Sequence, residues 1–292
     1  MRPDQEINDY LPPNGGIASR IAPTPSGFLH AGNAYNFILT YLLTRSVSGV
    51  LHLRIDDYDL GRYRQEFVQN IFDVLEFLGL EYDKGPISVS DFERNFSFKI
   101  RAKRYEDVLE KLDEIYICEC SRATKNAYKN GIYTKICKNK NLKFIKDKTA
   151  IRLSVDEGDP LGKLVAEQMG DFVIYKKDFT PAYNFASVID DEDMGINLVV
   201  RGEDLKACTL AQRYLAKRLN FNFYNANFIH HKLLLKDGKK LSKSLKSPPI
   251  NLKDSPQIYY KILANDLGLD IKSTDKIRNL LYEFKLKNIA KF

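Results

Sequence analysis

The alternation of short apolar runs with helical periodicity in the N-terminal part limits this chain to an α/β fold. Gly16 to Ile21 reads as a strand, and Ala34 to Thr44 carries Tyr35, Ile38, Leu39 and Leu42 at helical spacing. Val50 to Ile55 is a second apolar run, broken only by His52 and Arg54. Glu66 to Leu78 then places Phe67, Ile71, Val74, Leu75 and Leu78 on one helical face. Two strands joined by a helix imply a right-handed βαβ unit. At 292 residues and 44% hydrophobic content the chain can bury a core large enough for one main domain and a smaller one.

Beyond a helix expected between Phe98 and Glu114, closely spaced cysteines, a lysine-rich stretch and a Gly/Asp-containing segment run to Gly170, which reads as an insertion. Strands at Phe172–Tyr175 and Asn197–Arg201 and a helix over Leu210–Arg218 resume the α/β pattern. The expected organisation is a Rossmann-type parallel sheet formed by 1–114 and 171–235. It is split by a small α/β insertion at 115–170 and followed by a loop and helical region at 236–292.

No run reaches the roughly 20 apolar residues of a membrane span, and Met1 to Asn14 has no apolar leader core, so a cytoplasmic location is expected. The formal net charge of +7 favours a polyanionic partner. Lysines concentrate in 135–148 and 232–246, as a solvated face or as phosphate contacts.

Two separated motifs carry the chemistry. Pro23-Thr24-Pro25-Ser26-Gly27-Phe28-Leu29-His30-Ala31-Gly32-Asn33 falls at a strand-to-helix turn, where a helix N-terminus favours phosphate, and Lys240-Leu241-Ser242-Lys243-Ser244 lies near the other end. Together they resemble the HIGH and KMSKS motifs of class I aminoacyl-tRNA synthetases. Ser19 to Gly27, Leu53-Arg54-Ile55-Asp56-Asp57-Tyr58-Asp59 and Pro181 to Arg201 resemble glutamyl-tRNA synthetases. The short stretch after Ser244, together with Arg201-Gly202-Glu203-Asp204-Leu205 and the cysteines, resembles the glutamyl-Q tRNA(Asp) synthetases, which lack an anticodon-binding domain and attach glutamate to queuosine in the anticodon of tRNA(Asp).

Activation requires a carboxylate to attack the α-phosphorus of ATP while pyrophosphate leaves, so cationic donors must flank the phosphates. His30, Lys240 and Lys243 are the expected catalytic donors. The resemblance adds Gly32, Asn33 and Ser242 to the ATP site, with Asn33 in the place of the motif's second histidine. Magnesium is expected with ATP. Selecting glutamate requires a cation for the second carboxylate, and the arginine fork fits it, through Arg20 or Arg201. The resemblance implies that Arg20, Ala22, Thr24, Tyr183 and Arg201 line the amino-acid pocket. Asp56 stands where the family has a longer Glu for the substrate ammonium.

Of the four cysteines, Cys118, Cys120 and Cys137 are close in sequence and Cys208 is remote. From spacing alone, structural zinc and ordinary buried thiols both remain open. The resemblance to the Cys-x-Cys…Tyr-x-x-x-Cys pattern implies zinc on Cys118, Cys120, Tyr133 and Cys137. Asp190-Asp191-Glu192-Asp193 reads as a turn of solvated acids between strands, His52 as structural, and His230 and His231 as packing or adenine-side groups. The expected function is ATP-dependent activation of glutamate and its transfer to tRNA by a monomer, most directly onto queuosine. The alternatives are a compact glutamate–tRNA ligase acting at the 3′ end and a non-catalytic RNA-binding paralogue.

Overall fold

The computed structural model describes residues 16–236, 239–240, 248–270 and 275–289. In chain order the elements begin with β1 (Ala18–Ile21), α1 (Ala31–Ser46), β2 (Val50–Leu53), α2 (Gln65–Phe77), the short α3 (Val89–Asp91) and α4 (Phe98–Leu109). Next come β3 (Ile115–Cys118), β4 (Tyr128–Lys129), β5 (Ile132–Tyr133), β6 (Ala150–Leu153), α5 (Pro160–Gln168), β7 (Val173–Tyr175) and α6 (Tyr183–Asp193). The last are β8 (Leu198–Gly202), α7 (Lys206–Arg218), β9 (Asn227–His231), β10 (Leu235–Lys236), β11 (Lys239–Lys240), α8 (Gln257–Leu267) and α9 (Ile277–Ile289). They form two compact units, one from the described parts of 1–100, 196–203 and 226–292, the other from 101–195 and 204–225.

The first unit is built on a parallel sheet of order β2-β1-β8-β9. Helix α1 is apolar around most of its circumference, which suits a helix enclosed on all sides. Its Tyr35, Phe37, Ile38, Leu39, Leu42 and Leu43 are buried, and it packs against β1, β2, β8, α8 and α9. Thr40 and Thr44 sit in this interior without cost because each hydroxyl donates to a carbonyl one turn back, at 2.7 Å in both cases. Tyr260 of α8 donates to the Leu78 carbonyl at 2.9 Å, closing the helical layer behind α2.

In the second unit an antiparallel sheet of order β3-β6-β7 packs with helices. The strand expected over Phe172–Tyr175 is present as β7 and pairs antiparallel with β6. Helix α5 lies in the Gly/Asp-containing segment of the expected α/β insertion. It starts at an Asp159 cap, whose side chain accepts from the amides of Leu161 and Gly162, with Pro160 in the first turn. The acidic run 190–193 corrects the sequence reading: it ends helix α6, and Asp190 and Asp191 are buried. Asp190 is held by an ion pair with Arg101 and by the Tyr105 hydroxyl at 2.7 Å, and Arg104 pairs with Asp193. Solvation is thus replaced by partners from α4. Among the described residues, no helix is long and apolar enough to cross a membrane.

The end of β2 is pinned by the chain that passes Lys84, with Leu53 N–H donating to the Lys84 carbonyl at 2.8 Å. Gly85 follows at φ +124, and a Cβ there would lie 2.2 Å from the Leu53 carbonyl oxygen. Gly85→Ala is expected to destabilise the protein by more than about 2 kcal/mol, because a disallowed backbone and a clash with main chain add. Gly195→Ala, at φ +65 with open space around it, carries the backbone cost alone, about 1 kcal/mol. Urea unfolding of the two variants measures the difference.

Candidate active site and candidate metal centre

Ligands of open parallel sheets bind outside the carboxyl ends of the strands where the strand order reverses. In the first unit that place lies between β1 and β8, since β1 is followed by β2 on one side and pairs with β8 on the other. The turn from β1 into α1 carries His30 as helix cap. Its Nδ1 accepts from the Gly32 amide at 3.1 Å, while the Asn33 side-chain oxygen accepts from the His30 amide at 3.0 Å, a reciprocal capping box. With Nδ1 accepting, a neutral imidazole keeps its proton on Nε2, the tautomer that donates outward.

Two groups that sequence reasoning passed over fix this turn. The Asn70 side chain of α2, buried within an apolar face, accepts from the Leu29 amide at 2.9 Å. The Ile250 amide donates to the Leu29 carbonyl at 2.8 Å, and Pro249 bridges His30 in antiparallel fashion. The chain beyond the Lys240 motif is thereby tied to the His30 motif. A polar Asn among Val68, Ile71 and Val74 was the available signal for the first contact; nothing in the sequence pointed to the second.

Arg20 in β1, Ala22 and Thr24 just after it, Asp56 after β2 and Arg201 in β8 all lie at or beyond the carboxyl ends of neighbouring strands. Arg20 and Arg201 are buried, and Arg201 stands over the Phe228 ring at 5.1 Å. The Asp56 amide donates to the Pro23 carbonyl at 2.9 Å, so the segments leaving β2 and β1 run together. The Asp56 carboxylate is gripped by Arg54, Nε to Oδ1 at 2.7 Å and Nη2 to Oδ2 at 3.3 Å, with both side chains almost fully buried. Residues two apart on an extended chain share a face, so this pairing was legible in Arg54-Ile55-Asp56.

His231, at the end of β9, is buried with Nδ1 2.8 Å from the Lys232 carbonyl and Nε2 3.0 Å from the Asn36 amide nitrogen. The carbonyl accepts only from Nδ1–H, which leaves Nε2 to accept from Asn36. Asn36 also donates to the Val200 carbonyl at 3.1 Å, tying α1 to β8. His231 is thus a positioning group. His230 is half-buried and lies parallel to the Phe228 ring, and His52 is buried in β2. Lys240 ends β11, while Ser242 and Lys243 lie outside the described residues. Tyr183 is the half-buried first residue of α6 in the second unit.

The second unit holds the candidate metal centre. Cys118 ends β3, Tyr133 ends the β4–β5 hairpin, and Cys120 and Cys137 lie in the loops that follow. The three sulfur atoms lie within 4.8 Å of one another, all buried. Cys120 and Cys137 are 3.4 Å apart, and the Tyr133 oxygen is 3.2 Å from Cys118 Sγ and 3.7 Å from Cys120 Sγ. Tetrahedral zinc with bonds of about 2.3 Å to sulfur would hold its thiolates about 3.8 Å apart. Three sulfurs and one oxygen at these separations fit the ion. Burial pushes the Cys120 thiol up to about 11 and raises the Tyr133 hydroxyl further. Burial also opposes ionisation of Cys137, but hydrogen bonds from Tyr133 and the Glu119 backbone outweigh it and lower this thiol. Arg152, missed in the sequence, caps the cluster: its guanidinium lies 3.6 Å from the Tyr133 ring centroid and donates to the Asp171 carbonyl and the Tyr128 hydroxyl, each at 2.7 Å. Cys208, on α7, is half-buried and outside this group.

Residues 16–254 match the family model for the catalytic domain of class I tRNA synthetases (E and Q). A glutamyl-Q tRNA(Asp) synthetase of Pseudomonas fluorescens is 35% identical over 84% of this chain and 82% of its own length. A glutamate–tRNA ligase of Syntrophus aciditrophicus is 33% identical over 86% of this chain and 56% of its own. Among solved structures, glutamate–tRNA synthetase from Elizabethkingia anophelis superposes with a TM-score of 0.60 at 21% identity, covering 79% of this chain and 53% of that one, a likeness of fold. The family model along most of the chain, and relatives matched along most of both lengths, place the protein: the chain belongs to the class I tRNA synthetase family of the glutamyl and glutaminyl type, among relatives of the glutamyl-Q tRNA(Asp) synthetases.

Proposed function

We propose that the protein activates glutamate with ATP and transfers it to queuosine in the anticodon of tRNA(Asp). The observation that carries this reading is the match to glutamyl-Q tRNA(Asp) synthetases along most of both chains, joined to a clustered Cys118, Cys120, Tyr133 and Cys137. Glutamate, ATP with magnesium and tRNA are the partners in this reading, and a cytoplasmic monomer is its simplest form.

In the first step a carboxylate oxygen of glutamate forms a bond to the α-phosphorus of ATP, and the bond to pyrophosphate breaks. His30 donates from Nε2 to phosphate oxygens, its ring held by the Gly32 amide on Nδ1. Gly32, Asn33 and Ser242 complete the nucleotide site, and Lys240 and Lys243 neutralise charge on the leaving group. Arg20 and Arg201 are assigned to the substrate carboxylates, with Ala22 and Thr24 beside them in the first unit. Asp56 is the ammonium partner. Its grip by Arg54 leaves the carboxylate's remaining lone pairs for the substrate and orients them. In the second step an acceptor oxygen of the RNA attacks the glutamyl carbonyl and AMP departs. Zinc bound by Cys118, Cys120, Tyr133 and Cys137 supplies a structural cross-link for the second unit.

The test is to incubate the protein with ATP, labelled glutamate and queuosine-containing tRNA(Asp) and to map the label by nuclease digestion. Label in the anticodon loop is expected. Label on the 3′-terminal adenosine would instead establish a compact glutamate–tRNA ligase, a second reading that the Syntrophus aciditrophicus match favours. Absence of ATP binding would make the chain a non-catalytic RNA-binding paralogue.

Further outcomes are expected for the catalytic donors and for the metal centre. Asn is as good a helix cap as the position allows, so His30→Asn should change stability by less than about 1 kcal/mol and depress adenylate formation about 100-fold. Lys243→Ala should likewise depress activation without affecting folding. Pyrophosphate exchange and thermal melting separate the two effects. Metal analysis should find one zinc per chain, lost in Cys120→Ser. Because thiols must shed protons to bind, zinc affinity should rise with pH and fall as the solution is acidified, with chelator lowering the melting temperature.

A further inference from the structure

A tight hairpin of the second unit, Tyr175 to Pro181, has an unusual residue at its most demanding position. The Phe179 amide donates to the Lys176 carbonyl at 3.1 Å, and the Lys176 amide to the Thr180 carbonyl at 2.8 Å. This is the three-residue loop in which a tight turn is followed by one left-handed residue, where glycine is the default. Here that residue is Phe179, at φ +59. A bulky aromatic side chain is a genuine outlier in this region. The turn holds it there through Asp178, whose carboxylate accepts from the Thr180 amide at 3.0 Å and hydroxyl at 2.6 Å.

The phenylalanine sits at the rim of the core, on buried Tyr175, and leaves part of its ring in solvent. Phe179 is 38% exposed, its covered part lying tilted against Tyr175 at 5.0 Å and Phe144 at 5.2 Å between ring centroids. Lysines surround it. Lys176 and Lys177 belong to the turn, and the exposed Lys143, Lys146 and Lys148 flank Phe144 on a segment tied to the turn by the Asp147 amide donating to the Lys177 carbonyl at 2.6 Å. Lys177 donates to the Glu119 carbonyl, and Lys176 lies 3.8 Å from Asp178. Asp147 and Asp178 are the acids within these two segments, so the patch remains basic.

We propose that Phe179 is a stacking platform for an unpaired base of an RNA loop, with the surrounding lysines on the adjoining phosphates. An exposed aromatic ring among lysines matches the two parts of a single-stranded nucleotide, a π-face and a phosphate, and suits an apolar protein surface poorly. The turn fixes the residue at φ +59 with part of its ring in solvent. The proposal rests on the reading that tRNA is the substrate.

The experiment measures binding of purified queuosine-containing tRNA(Asp) by the full chain, by filter binding at fixed salt, for wild type, Phe179→Gly and Phe179→Tyr, with a thermal melt of each. Glycine relieves the left-handed backbone, so Phe179→Gly folds and melts no lower than wild type. It is expected to bind tRNA about tenfold more weakly, while Phe179→Tyr, which keeps a ring, binds as wild type. Equal binding by wild type and Phe179→Gly would overturn the platform while leaving the functional reading intact. A lower melting temperature for Phe179→Gly would also overturn it, since the ring would then serve packing. If wild type itself binds no tRNA, the functional reading falls, and this inference with it.

Discussion

Enclosure of α1 behind the parallel sheet is the constraint on which the first unit depends. A helix buried on nearly every side has no freedom to slide or roll without opening cavities against β1, β2, β8, α8 and α9. Its N-terminus is therefore a fixed point at the carboxyl edge of the sheet. His30 closes the helix with its ring nitrogen, so one residue both ends the helix and presents an oriented donor. Asn70 and Ile250 hold the backbone before the cap, and Asn36 couples the helix to β8 and His231. Positioning to this degree is what phosphoryl and acyl chemistry by electrostatic stabilisation requires.

Buried charge in both units is tolerated because it is answered locally. Arg54 and Asp56 neutralise each other next to the candidate amino-acid pocket, and Asp190 is matched by Arg101 and Tyr105 in the second unit. Removing one member of such a pair would leave the other as an uncompensated charge, costing about 3–5 kcal/mol. This makes the pairs determinants of local geometry more than sources of stability. Around the thiol cluster, Arg152 has a related role: a buried cation over Tyr133 offsets negative charge that accumulates when cysteines ionise. The cluster links β3 to the β4–β5 hairpin in a region with few large buried side chains, where a metal cross-link has the most to add.

The sequence by itself determined the alternation of strands and helices, because burial imposes a period of two or of about 3.6 that survives without knowledge of the partner. It also determined the motif around His30 and the spacing of Cys118, Cys120, Tyr133 and Cys137, since these are local patterns of residue type. The acidic run 190–193 misled, because four consecutive acids suggest solvent while the cations that answer two of them, Arg101 for Asp190 and Arg104 for Asp193, come from α4, nearly ninety residues earlier. What only the tertiary structure decided is which polar groups meet: Asn70 with the Leu29 amide, Ile250 with the Leu29 carbonyl, His231 with Asn36, Arg152 with Tyr133. Hydrophobic burial leaves a periodic trace along the chain, whereas a hydrogen bond or ion pair between distant residues leaves none, because its energy depends on a separation in space that the order of residues does not contain.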